Sequence, residues 1–131
     1  MSKWLLAGVL PAAVATLAGH ARAADAAAGK TTAEAHCTRC HVVGTFNPHG
    51  GISSTPSFQL LVDRRPDYKE RFLTFYVRRP HPAFLTVTGL NNRAMPHLPA
   101  NAAPVEISLQ DVENIALFVE TLKGTSGVKP D

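Results

Sequence analysis

Cys37-Thr38-Arg39-Cys40-His41 is the stretch of sequence that decides how this chain folds. Two thiols three positions apart lie near each other on one helical turn, so both can bond to the same flat ligand. The C-x-x-C-H order is typical of haem c attachment, in which each cysteine bonds to one vinyl group of the porphyrin. The following histidine then ligates the iron through an imidazole nitrogen. The motif therefore predicts one covalent haem c, attached at Cys37 and Cys40, with His41 as an axial ligand.

Three other roles for the two cysteines fit the sequence less well. A thioredoxin-type dithiol would lie at a helix start within a β-α-β pattern, and the sequence has no such pattern of strands. A structural zinc ion needs four ligands, and only His36 and His41 are available beside the cysteines. A disulfide between Cys37 and Cys40 would close a very small loop and stabilise the fold little.

The N-terminus predicts a secretory signal peptide over residues 1–23. Lys3 gives a positive start, an apolar stretch follows over residues 5–17, and Ala21-Arg22-Ala23 offers small residues where a signal peptidase reads them. Cleavage near Ala23 would place the mature chain in an oxidising compartment, which we interpret as a bacterial periplasm. No apolar run is long enough to predict a stable membrane span after that cleavage.

Length and composition narrow the class of protein. A chain of 131 residues has room for one domain, and 45% hydrophobic with 18% charged residues excludes a largely disordered protein. The net charge of +3 is too small and too scattered to predict a nucleic-acid binder.

Met95 is the predicted second axial ligand. It would be the only methionine of the mature chain, and it lies beside Pro96. A thioether suits iron in either oxidation state, and opposite a histidine it gives a six-coordinate haem of raised potential. Four histidines compete for this position, because imidazole also binds iron: His36, His49, His81 and His97.

Local patterns predict an all-α fold of three main helices and a short helical turn. The helices are expected over residues 25–38 and 66–78 and from Ser108 to Gly124, and the turn over residues 57–63. Ser108 and Asp111 resemble a capping box for the last helix. Glycines and prolines predict a loop over residues 42–56, and residues 84–88 suggest a short hairpin or an irregular flap.

With these residues in place, the chain resembles a small monohaem class I cytochrome c of the bacterial type over residues 25–123. The strongest shared motifs are Cys37-Thr38-Arg39-Cys40-His41 and Met95-Pro96, and Thr55-Pro56-Ser57-Phe58 is weaker. The resemblance implies the cytochrome c fold over residues 24–124, wrapped around one covalent haem, with a loose tail over residues 125–131. Residues 83–94 depart from the short members of the family as an insertion before Met95.

The resemblance also implies roles for two residues outside the haem motif. The family has a proline whose carbonyl accepts a hydrogen bond from the proximal histidine, and Pro56 fits that place, with Pro48 as its rival. A glycine in the first helix lets that helix cross the last one closely, and Gly29 occupies the matching position.

These residues predict a periplasmic electron carrier rather than an enzyme. With both axial positions filled, substrate has no ready access to the iron, while the iron can still change its oxidation state. The expected partners are redox proteins, namely a dehydrogenase, a bc1-type complex or a terminal oxidase, and the chain could be a free shuttle or a subunit of an oxidoreductase complex. Two alternatives stay open: a haem-based enzyme or gas sensor with a labile sixth ligand, and a haem-free dithiol oxidoreductase.

A cluster of six basic residues falls between positions 64 and 79. It would either steer the protein toward an acidic redox partner, or hold the haem propionates. The alternative is that the cluster has no binding role and forms a solvated helix face with i,i+4 pairs such as Asp67 with Arg71.

Overall fold

The structure is a computed structural model, and it describes residues 22–90 and 103–125. Within these ranges the chain is mostly helical. The elements follow in the order α1 (Ala26–His36), α2 (Phe58–Arg64), α3 (Tyr68–Thr74), two 3-10 turns (Phe75–Val77 and His81–Ala83), β1 (Leu85–Val87), β2 (Val105–Ile107) and α4 (Leu109–Glu120). No helix in the described part is long and apolar enough to cross a membrane.

Helix α1 begins at a side-chain cap, and it ends where the haem motif begins. The Asp25 carboxylate accepts hydrogen bonds from the backbone N–H groups of Ala27 and Ala28, which lack partners within the helix. The alanine-rich sequence then favours the helix as far as His36. The predicted first helix is confirmed, with bounds slightly inside the expected ones.

Helices α1 and α4 pack against each other along a close crossing at Gly29. A β-carbon at Gly29 would overlap the backbone carbonyl of Asn114. The buried Asn114 side chain adds a second link, since its Oδ1 accepts a hydrogen bond of 2.8 Å from the backbone N–H of Asp25. The structure thus confirms the close approach that the resemblance implied, and Asn114 is a brace that the sequence did not indicate.

The main core lies between α4 and the helices that precede it. Helix α4 buries Ile115 and Val119 of the predicted apolar face, and Leu122 is buried in the turn that follows the helix. Helices α2 and α3 contribute two buried aromatic rings, Phe58 and Phe72, which meet edge to face with their centres 5.0 Å apart. These rings matter below because they also form a wall of the candidate site.

The capping box of α4 is confirmed. The Asp111 backbone N–H donates to Ser108 Oγ over 3.1 Å, and the Ser108 backbone N–H donates to Asp111 Oδ2 over 2.8 Å. Beyond Glu120 the chain continues in turns as far as Gly124, whose φ of +76° suits glycine. The Gly124 N–H donates to the Asp63 carboxylate over 2.7 Å and so ties this end to α2.

The helix predicted over residues 66–78 is shorter than expected. The α-helix begins at Tyr68, after the cap residue Asp67, and ends at Thr74, where the chain passes into the 3-10 turn. The Thr74 hydroxyl donates to the Glu70 carbonyl over 2.7 Å, a local bond of the kind that bends helices. The turn predicted over residues 57–63 is confirmed as α2, with Ser57 as its cap.

Two short strands correct the prediction of an all-α fold. Strands β1 and β2 pair in parallel, with Leu85 opposite Val105 and Val87 opposite Ile107. The sequence suggested a short hairpin or an irregular flap for residues 84–88, and residues 91–102, which would follow its turn, lie outside the described ranges. Among the described residues, β1 pairs with the segment just before α4, and both strands pack with Val112 in a second small core.

Several predictions concern residues outside the described ranges. These are most of the signal peptide, Met95 with Pro96, His97, and the tail beyond residue 125. The loop predicted over residues 42–56 lies within the described ranges. It is confirmed, because that stretch contains no helix or strand.

We expect Gly29→Ala to lower the free energy of unfolding by about 1–3 kcal/mol, because the new methyl group must force α1 away from α4. Alanine has the higher helix propensity, so a loss of stability cannot come from propensity. Denaturant unfolding of the wild-type protein and the variant measures the change. Lys30→Ala, on the exposed side of the same helix, is the control. Unchanged stability in Gly29→Ala would contradict the close crossing.

Candidate haem-binding site

The Cys37–His41 motif forms a turn directly after α1. The Cys37 carbonyl accepts from the backbone N–H groups of both Cys40 and His41, over 3.1 and 2.9 Å. Because this turn folds the motif back on itself, Cys37, Cys40 and His41 all line one cavity of about 410 Å³. The spacing read from the sequence is therefore realised as one cluster of side chains.

The walls of this cavity are largely apolar and continuous with the core. Phe58, Phe72 and Ile115 belong to both the cavity lining and the main core cluster. Phe75 and Phe84 close the side formed by the 3-10 turns. An apolar cavity with two thiols and three imidazoles in its lining suits a flat, hydrophobic, metal-containing ligand.

His41 is held by its Nδ1 atom. The distance from Nδ1 to the Pro56 carbonyl oxygen is 2.8 Å, and the carbonyl can only accept, so Nδ1 carries the hydrogen. In the neutral ring, the Nε2 lone pair is then the one available to a metal. Burial lowers the pKa of His41, while the hydrogen bond to Pro56 acts in the opposite direction. Of the two prolines considered, Pro56 is the one whose carbonyl meets His41.

The loop after the motif is fastened to it by Asn47, which the sequence did not single out. The Asn47 amide donates to the carbonyls of His41 and Thr38 over 2.8 and 3.2 Å, and its Oδ1 accepts from the N–H of Val43 over 2.7 Å. Asparagine followed by proline in a glycine-rich loop is a turn signal, and it gives no indication of these longer contacts. Asn47 therefore positions the backbone that carries His41.

The surroundings of Cys37 do not favour dithiol redox chemistry. Both are free and partly buried. Burial raises the pKa of the Cys37 thiol to about 12, and the neighbouring Cys40 adds to the increase. Reactive thiols in dithiol oxidoreductases have lowered pKa values, because the thiolate is the nucleophile. The described residues also contain no group of three or more His, Cys, Asp or Glu side chains that could hold a metal ion.

The histidines that compete for the second axial position are in different places. His81 lines the cavity, and its ring faces that of His41. His36 also lines the cavity, from the exposed last turn of α1, whereas His49 is exposed in the loop. Burial lowers the pKa of His81, an effect that the charge of His41 reinforces and the carbonyls of Arg78 and Phe75 oppose. Met95 and His97 lie outside the described residues.

Three members of the basic cluster are engaged in surface ion pairs. Salt bridges link Arg71 to Asp67 over 2.9 Å, Arg78 to Glu70 over 2.8 Å and Lys69 to Glu120 over 2.9 Å. The predicted Asp67–Arg71 pair is thus confirmed, and such exposed pairs contribute little to stability. Three arginines also line the cavity, namely Arg71, Arg78 and Arg79.

Comparison with known proteins supports the resemblance. Cytochrome c-552 of Bradyrhizobium diazoefficiens is 40% identical to this chain over 70 residues, which is 53% of this chain and 65% of that protein. The match thus covers just under two thirds of the relative's length. No protein-family model and no solved structure gives a significant match. The resemblance to small class I c-type cytochromes is confirmed by this relative.

Asn47→Ala should lower the free energy of unfolding by about 1–3 kcal/mol, because it removes three hydrogen bonds from a partly buried loop. Thermal unfolding of the wild-type protein and the variant measures this change, with each protein purified from a host that exports it. Thr45→Ala, at an exposed position of the same loop, is the matched control. Equal stabilities of the two variants would show that Asn47 does not brace the motif.

Proposed function

We propose that this chain is an exported c-type cytochrome that carries single electrons on one covalent haem c. The observation that carries the proposal is the convergence of Cys37, Cys40 and His41 in one apolar cavity. The relative named above is a cytochrome c, and the proposal extends that property to this chain.

The residues of the cavity fit this cofactor. Cys37 and Cys40 would hold the haem through thioether bonds, and His41 would ligate its iron through Nε2, with Nδ1 kept on the Pro56 carbonyl. The haem supplies a metal that changes oxidation state by one electron. The aromatic walls would exclude water from the haem. The three arginines of the cavity would offer positive charge to the haem propionates.

An electron carrier is favoured over an enzyme because a filled second axial position would close the iron to substrate. The sequence offers Met95 for that position, and this assignment stays a prediction because Met95 lies outside the described residues. A labile or absent sixth ligand would instead permit catalysis or gas binding. An electron carrier and a haem enzyme or gas sensor therefore differ in whether the reduced iron binds an added ligand such as carbon monoxide.

Export to the periplasm is part of the proposal. The predicted cleavage near Ala23 would leave the first structural element intact, because α1 begins at Ala26 and its cap is Asp25. The hydrogen bond between the Asp25 N–H and Asn114 would also remain. Removal of residues 1–23 is thus compatible with the α1–α4 brace.

The partners would be redox proteins, such as a dehydrogenase, a bc1-type complex or a terminal oxidase. Ile52 lines the cavity and is 49% exposed, so it offers an apolar contact close to the cofactor. Arg79 lines the same cavity and offers positive charge beside it. An acidic partner surface would suit this combination.

Absorption spectra of the exported protein test this function. We expect a haem spectrum that survives denaturation, reversible reduction by one electron, and no binding of carbon monoxide to the reduced form. Replacing both Cys37 and Cys40 with Ala should leave no haem attached after denaturation. Thr38→Ala changes a spacer residue of the same motif and should keep the haem.

Two results would contradict the proposal. Wild-type protein without covalent haem would overturn the cytochrome assignment and return the dithiol alternative to consideration. Ready binding of carbon monoxide at neutral pH would overturn the electron carrier in favour of an enzyme or gas sensor.

A further inference from the structure

His81 faces His41 across the cavity. The centres of the two imidazole rings are 6.2 Å apart, and the ring planes differ by only 3°. This separation is larger than that of rings in face-to-face contact, yet both rings line the same 410 Å³ space. The cavity therefore reaches both rings.

The distance between the ring centres matches the spacing that one metal ion would require. A metal–imidazole bond of about 2 Å and a further ~1 Å from the bonded nitrogen to the ring centre would place two opposed rings about 6 Å apart. Two histidines on opposite faces of one haem satisfy this requirement. Parallel ring planes permit this arrangement when the Nε2 atom of each ring points at the metal.

The two histidines are also held in the same way. His41 Nδ1 is 2.8 Å from the Pro56 carbonyl, and His81 Nδ1 is 2.9 Å from the Arg78 carbonyl. Since a carbonyl only accepts, each Nδ1 carries the hydrogen, and each neutral ring has its lone pair on Nε2. A backbone carbonyl on the second nitrogen is the usual support of a metal-ligating histidine.

The surroundings of His81 restrict its ring further. Pro80 and Pro82 flank it and limit the local backbone, and His81 is the first residue of a 3-10 turn. The Phe75 ring meets it edge on, with the centres 5.4 Å apart, and Phe84 lies at 6.1 Å. His41 has a comparable aromatic neighbour, Phe58, at 5.2 Å. An ordinary surface histidine has no such set of restraints.

We propose that His81, and not the sequence-predicted Met95, is the second axial ligand of the haem. The inference rests on the proposed function, since it requires a haem on Cys37, Cys40 and His41. It gives a bis-histidine centre, whose potential is lower than that of a His/Met centre because the thioether is the ligand that raises it. Met95 then has no part in ligation.

Spectroscopy of three variants of the purified, exported protein tests this assignment. Oxidised wild-type protein should be low-spin and should lack the near-infrared sulfur-to-iron charge-transfer band. Met95→Leu should leave both the spectrum and the potential unchanged. His81→Ala should turn the oxidised haem high-spin and allow the reduced haem to bind carbon monoxide, whereas His49→Ala, at an exposed position, should do neither.

His81→Met covers the case in which His81→Ala does not fold. It should introduce the sulfur-to-iron band and shift the potential upward. If the wild-type protein shows this band and the Met95→Leu variant lacks it, the role of His81 is overturned. The electron-carrier proposal would remain intact in that case. Absence of covalent haem from the wild-type protein would overturn both.

Discussion

The hydrogen bond from His41 Nδ1 to the Pro56 carbonyl, 2.8 Å long, is the contact on which the site depends. It joins the end of the haem motif to the far end of the loop that follows, and it decides which imidazole nitrogen is available for a metal. Asn47 holds the same loop at its middle. The loop from His41 to Pro56 is therefore fixed at two points, and it holds His41 in the lining of the cavity.

The helices hold this loop at a fixed place. Helix α1 carries the motif at its C-terminal end, and its position is set by the crossing with α4 at Gly29. The core on the other side of the cavity shares Phe58 and Phe72 with the cavity wall. Under the proposed function, the haem would complete this core, so the stability of the fold and the retention of the cofactor would depend on each other.

The features that the sequence predicted well are those encoded by neighbouring residues. The capping box of Ser108 and Asp111, the loop after the motif and the cysteine spacing are local patterns, and the structure contains each of them. The close packing at Gly29 and the position of Pro56 came from the family resemblance, because neither contact has a local signature.

What the sequence left open depends on tertiary contacts. The parallel pairing of β1 with β2 joins segments far apart in the chain, and no periodicity in three-residue strands indicates a distant partner. For Asn47 the sequence indicated only a turn. His81 was one of four competing histidines, and the placement of its ring opposite that of His41 separates it from His36 and His49.

Covalent attachment of haem is the central claim, and the intact mass of the wild-type protein tests it most directly. The protein would be purified from the periplasm of a host that matures c-type cytochromes, then denatured in acid so that any unattached cofactor is lost. The account predicts the mass of the processed polypeptide plus one haem. The mass of the polypeptide alone, with both cysteines unmodified, would contradict it.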